Sequence, residues 1–101
     1  MTDKVLTFYL KGKLFGIDIK LIKEINRNVE FTPVPDSQPF VHGLFNMRGQ
    51  IVTIFDLSLM IGIEDDIPKT NCTCIILKSN DPQNHVGFVI DKPGDVIDIH
   101  E

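Results

Sequence analysis

The chain has 101 residues, 43% of them hydrophobic, with seven Phe and no Trp, and ten Lys and Arg stand against fourteen Asp and Glu for a net charge of −4. That length and composition suit one domain with a small packed core. The negative balance argues against a general nucleic-acid binder, which needs a basic face to displace counterions from phosphate, and gives no support for an anionic membrane partner.

No apolar run approaches the ~20 residues that cross a bilayer as a helix. The start, MTDKVLTFYL, reads as lacking the basic and long apolar segments of a signal peptide, so the cytoplasm is the expected compartment.

Taken in chain order, KVLTFYLK (4–11) is rich in β-formers and partly apolar on both sides, and LFGI follows a KGK turn. Val5 to Ile17 therefore read as a hairpin turned at Gly12. IDIKLIKEI (17–25) fits both helical and strand spacing. The reading adopted is one helical turn around Asp18 to Leu21, capped by Asp18, then a strand from Ile22 to about Phe31. TPVPDSQPF (32–40) carries three prolines and reads as a loop, with Asp36-Ser37 as a cap for one short turn.

Leu44 to Met47 and Gln50 to Phe55 form a second expected hairpin across Arg48-Gly49, where Gly49 accommodates φ > 0. Asp56 ends the strand and caps LSLMIG, with Gly62 at the far end. EDDIPKTN (64–71) is a polar loop. CTCIILK (72–78) reads as a strand buried on both faces, SNDPQN (79–84) as a turn, and HVGFVID (85–91) as the partner strand. Asp95 to Ile99 alternate polar and apolar. Short strands punctuated by turns point to an all-β barrel or sandwich.

The sequence carries no nucleophile elbow, phosphate-binding glycine loop or HExxH pair. Glu64-Asp65-Asp66 reads as a solvated loop, and Asp56 and Asp91 as cap or turn residues. Cys72 and Cys74, two apart in a strand, lie about 6.5–7 Å apart, at the edge of disulfide reach. A metal site recruiting them with His85 and His42 lacks the second cysteine pair of a zinc framework, so small buried strand residues are expected and no metal or cofactor. Arg48 is either a solvated turn residue or a guanidinium held near a carboxylate or a partner.

GIDIKLIKEI, the Pro-rich loop, FVHG, NMRGQIV, FDL and VGFVIDKPGDVIDI, in that order, resemble the CheW-like coupling domains of bacterial chemotaxis from about Leu6 to Ile99. The resemblance implies one mainly β domain over residues 1–101. It would be built of two small SH3-like β-barrels side by side, the second incomplete within the chain. It implies no enzymatic activity. The function it implies is an adaptor between chemoreceptor cytoplasmic tip helices and the regulatory domain of a CheA-type histidine kinase.

The family's receptor helix lies in an apolar groove between the barrels. Matching positions here are Ile22, Glu24 and Ile25 on one wall, with Arg48 nearby and Gly43 and Met47 around the hairpin. Glu24 and Arg48 can pair with each other or set helix register. Thr53 stands where the family usually has Pro, and Asp91-Lys92-Pro93 replaces a more apolar link. Family members also continue beyond the position of Glu101. The resulting open edges lead to the expectation of a homodimer with exchanged or edge-to-edge strands, or else of a reduced module that binds only one partner.

Overall fold

The computed structural model describes residues 2–35, 38–63, 72–81 and 83–100. The expected cap at Asp36-Ser37 and the Glu64-Asp65-Asp66 loop lie outside the described residues.

Strand β1 (Thr2–Leu10) turns through Lys11 and Gly12 into β2 (Lys13–Asp18). Both turn residues have positive φ, 51° and 77°. This is the backbone twist that joins two antiparallel strands through two residues, and glycine takes it without a Cβ penalty. The Asp18 carboxylate then accepts a hydrogen bond from Lys20 N at 2.9 Å. It caps the expected single helical turn, a 3-10 turn over Ile19–Leu21.

Strand β3 (Ile22–Val29) follows, two residues shorter than expected. Strand β4 (Val41–Met47) begins earlier than its apolar run suggested. It turns through Arg48 and Gly49, again with positive φ, 51° and 85°, into β5 (Gln50–Asp56). Thr53 lies within β5, between Leu44 of β4 and Val86 of the strand on its other side. The Asp56 carboxylate accepts from Leu59 N at 3.2 Å and caps the four-residue α1 (Leu57–Met60). Gly62, at φ 83°, ends it. Strands β6 (Cys72–Leu77), β7 (His85–Ile90) and β8 (Lys92–His100) complete the order.

The strands form two sheets. One is antiparallel with the order β2-β1-β8; the other has the order β3-β6-β7-β5-β4, and its β5–β7 pair is parallel. The IIL run of β6 shows why two sheets result. Cys74 and Ile76 face one core, and Ile75 between them faces another. In β7, Phe88 and Ile90 point to one side and Val89 to the other.

Both faces of the central pair are thus buried, as continuous apolar runs require. One core, with Val29, Met47, Val52 and Ile54, draws on all five strands of the larger sheet. The second lies between the sheets, where Leu6, Phe8 and Leu10 of β1 meet Ile75, Phe88 and Ile90. Phe8 packs on Phe15 at 5.9 Å and on Phe88 at 5.5 Å between ring centroids. Each fully buried aliphatic contributes roughly 1.5–3 kcal/mol.

The expected pair of SH3-like barrels is corrected: neither sheet closes. Closure needs a continuous ladder between first and last strands. In the smaller sheet β2 and β8 are both edges. In the larger one, β3 and β4 approach, but among the described residues no strand ladder joins them. Asn28 adopts φ 56° beside a register break between Asn26 and Val29, which breaks the regular ladder at the end of β3. Beyond it, one two-bond bridge connects Thr32 with Leu44, at 2.8 and 2.9 Å. The result is a curled open sheet with a three-stranded sheet stacked on it.

Gly87 sits on the crowded face of β7, where an added Cβ would lie 2.8 Å from Ile75 O and from Ile76 Cδ1. Gly87→Ala is therefore expected to destabilise the fold by about 1–3 kcal/mol, measured as a lowered urea midpoint with an unchanged slope.

Candidate partner-binding groove

The second strand face of the larger sheet is not wholly covered by the smaller one. Along their seam runs a groove of about 340 Å³, lined by Leu6, Ile19, Ile22, Lys23, Glu24, Ile25 and Val96. Five of these seven are apolar. Their convergence depends on a local irregularity. Ile22 pairs with Leu77 and Glu24 with Ile76, so Lys23 is an extra residue in β3. In a regular strand, residues three apart point to opposite faces. The bulge reverses that parity and places Ile22 and Ile25 on one face, beside Leu77 and Ile75.

The opposite face of β3 is tied to the β4–β5 turn. Arg48 donates through Nη2 to Glu24 Oε1 at 2.5 Å and through Nη1 to Oε2 at 3.4 Å. Of the two readings of Arg48, a solvated turn residue or a cation held by a carboxylate, the second describes the structure. The carboxylate raises the Arg48 pKa above its ordinary value, first by hydrogen bonding and then by charge. The Arg48 side chain remains 66% exposed against 26% for Glu24, so the pair sits at a wet rim and orients more than it stabilises. Next to it, Asn26 Nδ2 donates to Met47 Sδ at 3.7 Å.

Of the six residues singled out from sequence, Ile22, Glu24 and Ile25 line the groove and Arg48 joins them through Glu24. Gly43 and Met47 do not line it. Met47 belongs to the core of the larger sheet. Gly43 is buried against Phe31, and a Cβ there would stand 3.0 Å from Phe31 Cβ and from Thr32 O. Leu6, Ile19, Lys23 and Val96 were missed. Leu6 and Val96 meet only through the β1–β8 pairing, for which a single sequence carries no local signal.

The groups considered for chemistry have structural surroundings. Burial raises the Cys72 thiol pKa and pushes that of Cys74 up to about 12, which disfavours the nucleophilic and metal-binding thiolate. Among the described residues, no three His, Cys, Asp or Glu side chains stand together as a metal site. Asp91 accepts from Lys11 N at 2.7 Å and so buttresses the β1–β2 turn. His42 meets the Phe31 ring edge-on at 4.6 Å. Among the described residues, no helix is long and apolar enough to cross a membrane.

With Cys74 held as a thiol, alkylation by iodoacetamide at pH 8 is expected to be slow in the folded protein and fast in urea. Rapid labelling of Cys74 without denaturant would contradict this burial.

A family model described as "CheW-like domain" matches residues 4–101. The Chemotaxis protein CheW of Bacillus subtilis (strain 168) is 28% identical over 99 residues, 98% of this chain and 62% of that protein. That of Thermotoga maritima is 32% identical over 98 residues, 97% of this chain and 63% of that protein. The crystal structure of the scaffolding protein TtCheW from Thermoanaerobacter tengcongensis superposes with a TM-score of 0.87 at 30% identity, covering 100% of this chain and 68% of that one. The chain thus spans somewhat under two thirds of the length of the two CheW sequences. On the match of residues 4–101, the chain belongs to the CheW-like domain family.

Proposed function

We propose that this chain is a single-domain, non-catalytic adaptor of chemotaxis-type signalling. It works in the cytoplasm and couples chemoreceptor cytoplasmic tip helices to the regulatory domain of a CheA-type histidine kinase. The observation that carries the reading is the apolar groove at the seam of the two sheets, with a charged pair at its rim. Ile22 and Ile25 offer aliphatic contacts to the apolar stripe of an amphipathic helix. Glu24, held by Arg48, marks one side of the stripe and sets the helix register more than its affinity. Gly43 and Met47 support the wall from behind. The relatives named chemotaxis or scaffolding proteins support the same reading.

A second feature favours self-association. Among the described residues β8 pairs only with β1, so its other edge has free backbone groups. It carries Val96 on one face, and Ile97 and Ile99 on the other, all three exposed. Such an edge accepts a further strand. A homodimer joined at this edge is the proposed form in the absence of other partners.

Three outcomes test the proposal. In a pull-down with a chemoreceptor tip fragment and a kinase regulatory domain, the wild-type chain retains both. Ile22→Asp or Ile25→Asp lowers tip affinity by at least about tenfold, the loss of one anchoring side chain, while the circular dichroism of the strands is kept. Arg48→Ala weakens tip binding by a smaller factor. Full retention of the tip by Ile22→Asp and Arg48→Ala would refute the proposed face. Light scattering at micromolar concentration gives a dimer mass, and a compact monomer would refute the edge pairing.

A further inference from the structure

Strand β8 is placed against the direction its own pattern favours. In PGDVIDI (93–99), Pro93, Asp95, Ile97 and Ile99 share one face, and Gly94, Val96 and Asp98 the other. The first set is the more apolar and, by alternation, belongs against the core. At the start of the strand that rule is obeyed, because Pro93 pairs with the buried Phe8. Two residues along β1, Leu6 pairs with Val96 where a regular ladder would bring Asp95. One extra residue in β8 has reversed its faces. From there on, Val96 lines the groove beside Leu6, 51% exposed, and Ile97 and Ile99 lie on the other face, 45% and 44% exposed.

The reversal is held at one point. Asp95 N donates to Thr7 Oγ1 at 2.8 Å, and the same hydroxyl donates to Asp95 O at 3.0 Å. Thr7 is buried, and Gly94 lies directly over it, so that any Cβ at position 94 would run into the hydroxyl. The bulge therefore needs a hydroxyl at 7 and no side chain at 94. Valine at 7 has the shape but neither hydrogen-bonding group.

We infer that Thr7 is a positioning residue for the groove: its double hydrogen bond to Asp95 holds β8 in the bulged register, so that Val96 and not the Asp95 carboxylate stands beside Leu6. The consequence for binding rests on the reading of the groove as a helix site; the register does not. In the slipped register, Asp95 pairs with Leu6 and Ile97 with Lys4. A carboxylate then enters an apolar wall, where it must remain hydrated or lose its charge.

The test begins with the wild-type protein. By NMR, cross-strand contacts connect Leu6 with Val96, and the Asp95 amide exchanges with deuterium at least about tenfold more slowly than the solvent-directed amides of the same strand. An Asp95 amide as fast as those neighbours overturns the inference without any variant. In Thr7→Val, the contact of Leu6 moves from Val96 to Asp95. The affinity for the chemoreceptor tip fragment falls about tenfold or more, with strand content retained. Thr7→Ser, which keeps the hydroxyl, preserves both register and affinity. Gly94→Ala displaces the hydroxyl without removing it and gives the Thr7→Val pattern.

Thr7→Val with the Leu6–Val96 contact intact overturns the inference. If Thr7→Val does not fold, Thr7→Ser and the wild-type amide decide. A tip fragment that fails to bind the wild type refutes the groove reading alone, since the register is read in the free protein.

Discussion

Between Ile22 and Glu24, β3 has one residue more than the strand beside it, and that excess decides where two isoleucines point. A regular edge strand would have sent Ile22 and Ile25 to opposite faces, one of them into the crowded core of the larger sheet. The bulge at Lys23 gives β3 two distinct faces. One is aliphatic and open to the seam. The other carries Glu24 and Asn26, which reach Arg48 and Met47 at the β4–β5 turn. The wall of the groove is thus fastened at Glu24, whose pair with Arg48 stands at the groove's rim.

The opposite wall obeys the same logic. It includes Val96 of the smaller sheet's edge strand beside Leu6 of β1, and one extra residue again decides what that strand turns to the seam. Edge strands tolerate bulges because only one neighbour must accommodate them. The central strands β6 and β7, buried on both faces, have no such freedom.

Features with local causes were legible in the sequence. Asp18 and Asp56 cap the turns that follow them because a carboxylate next to free backbone N–H groups needs no distant partner. Gly12 and Gly49 mark their hairpins for the same reason. The double burial of CTCIIL followed from consecutive aliphatics. Ile22, Glu24 and Ile25 were singled out through resemblance, since a spacing of three fits no regular strand, and the structure brings them to one groove. What depends on pairing between distant segments was not legible. The two expected barrels rested on resemblance; the larger sheet stays open because, among the described residues, β3 and β4 share no ladder, and in the smaller one β2 and β8 are both edges. Val96 was hidden by a pattern that favours Ile97 and Ile99 for the inner face.

In the proposed function, the seam between the sheets receives a helix. Chemical-shift mapping of the isotope-labelled wild-type chain, titrated with a chemoreceptor tip fragment, tests it most directly. Saturable shifts are expected at the methyl groups of Leu6, Ile19, Ile22, Ile25 and Val96, with little change at Val52, Ile54 and Val89 in the other core. Saturable shifts confined to another surface, with those five methyl groups unmoved, would contradict it.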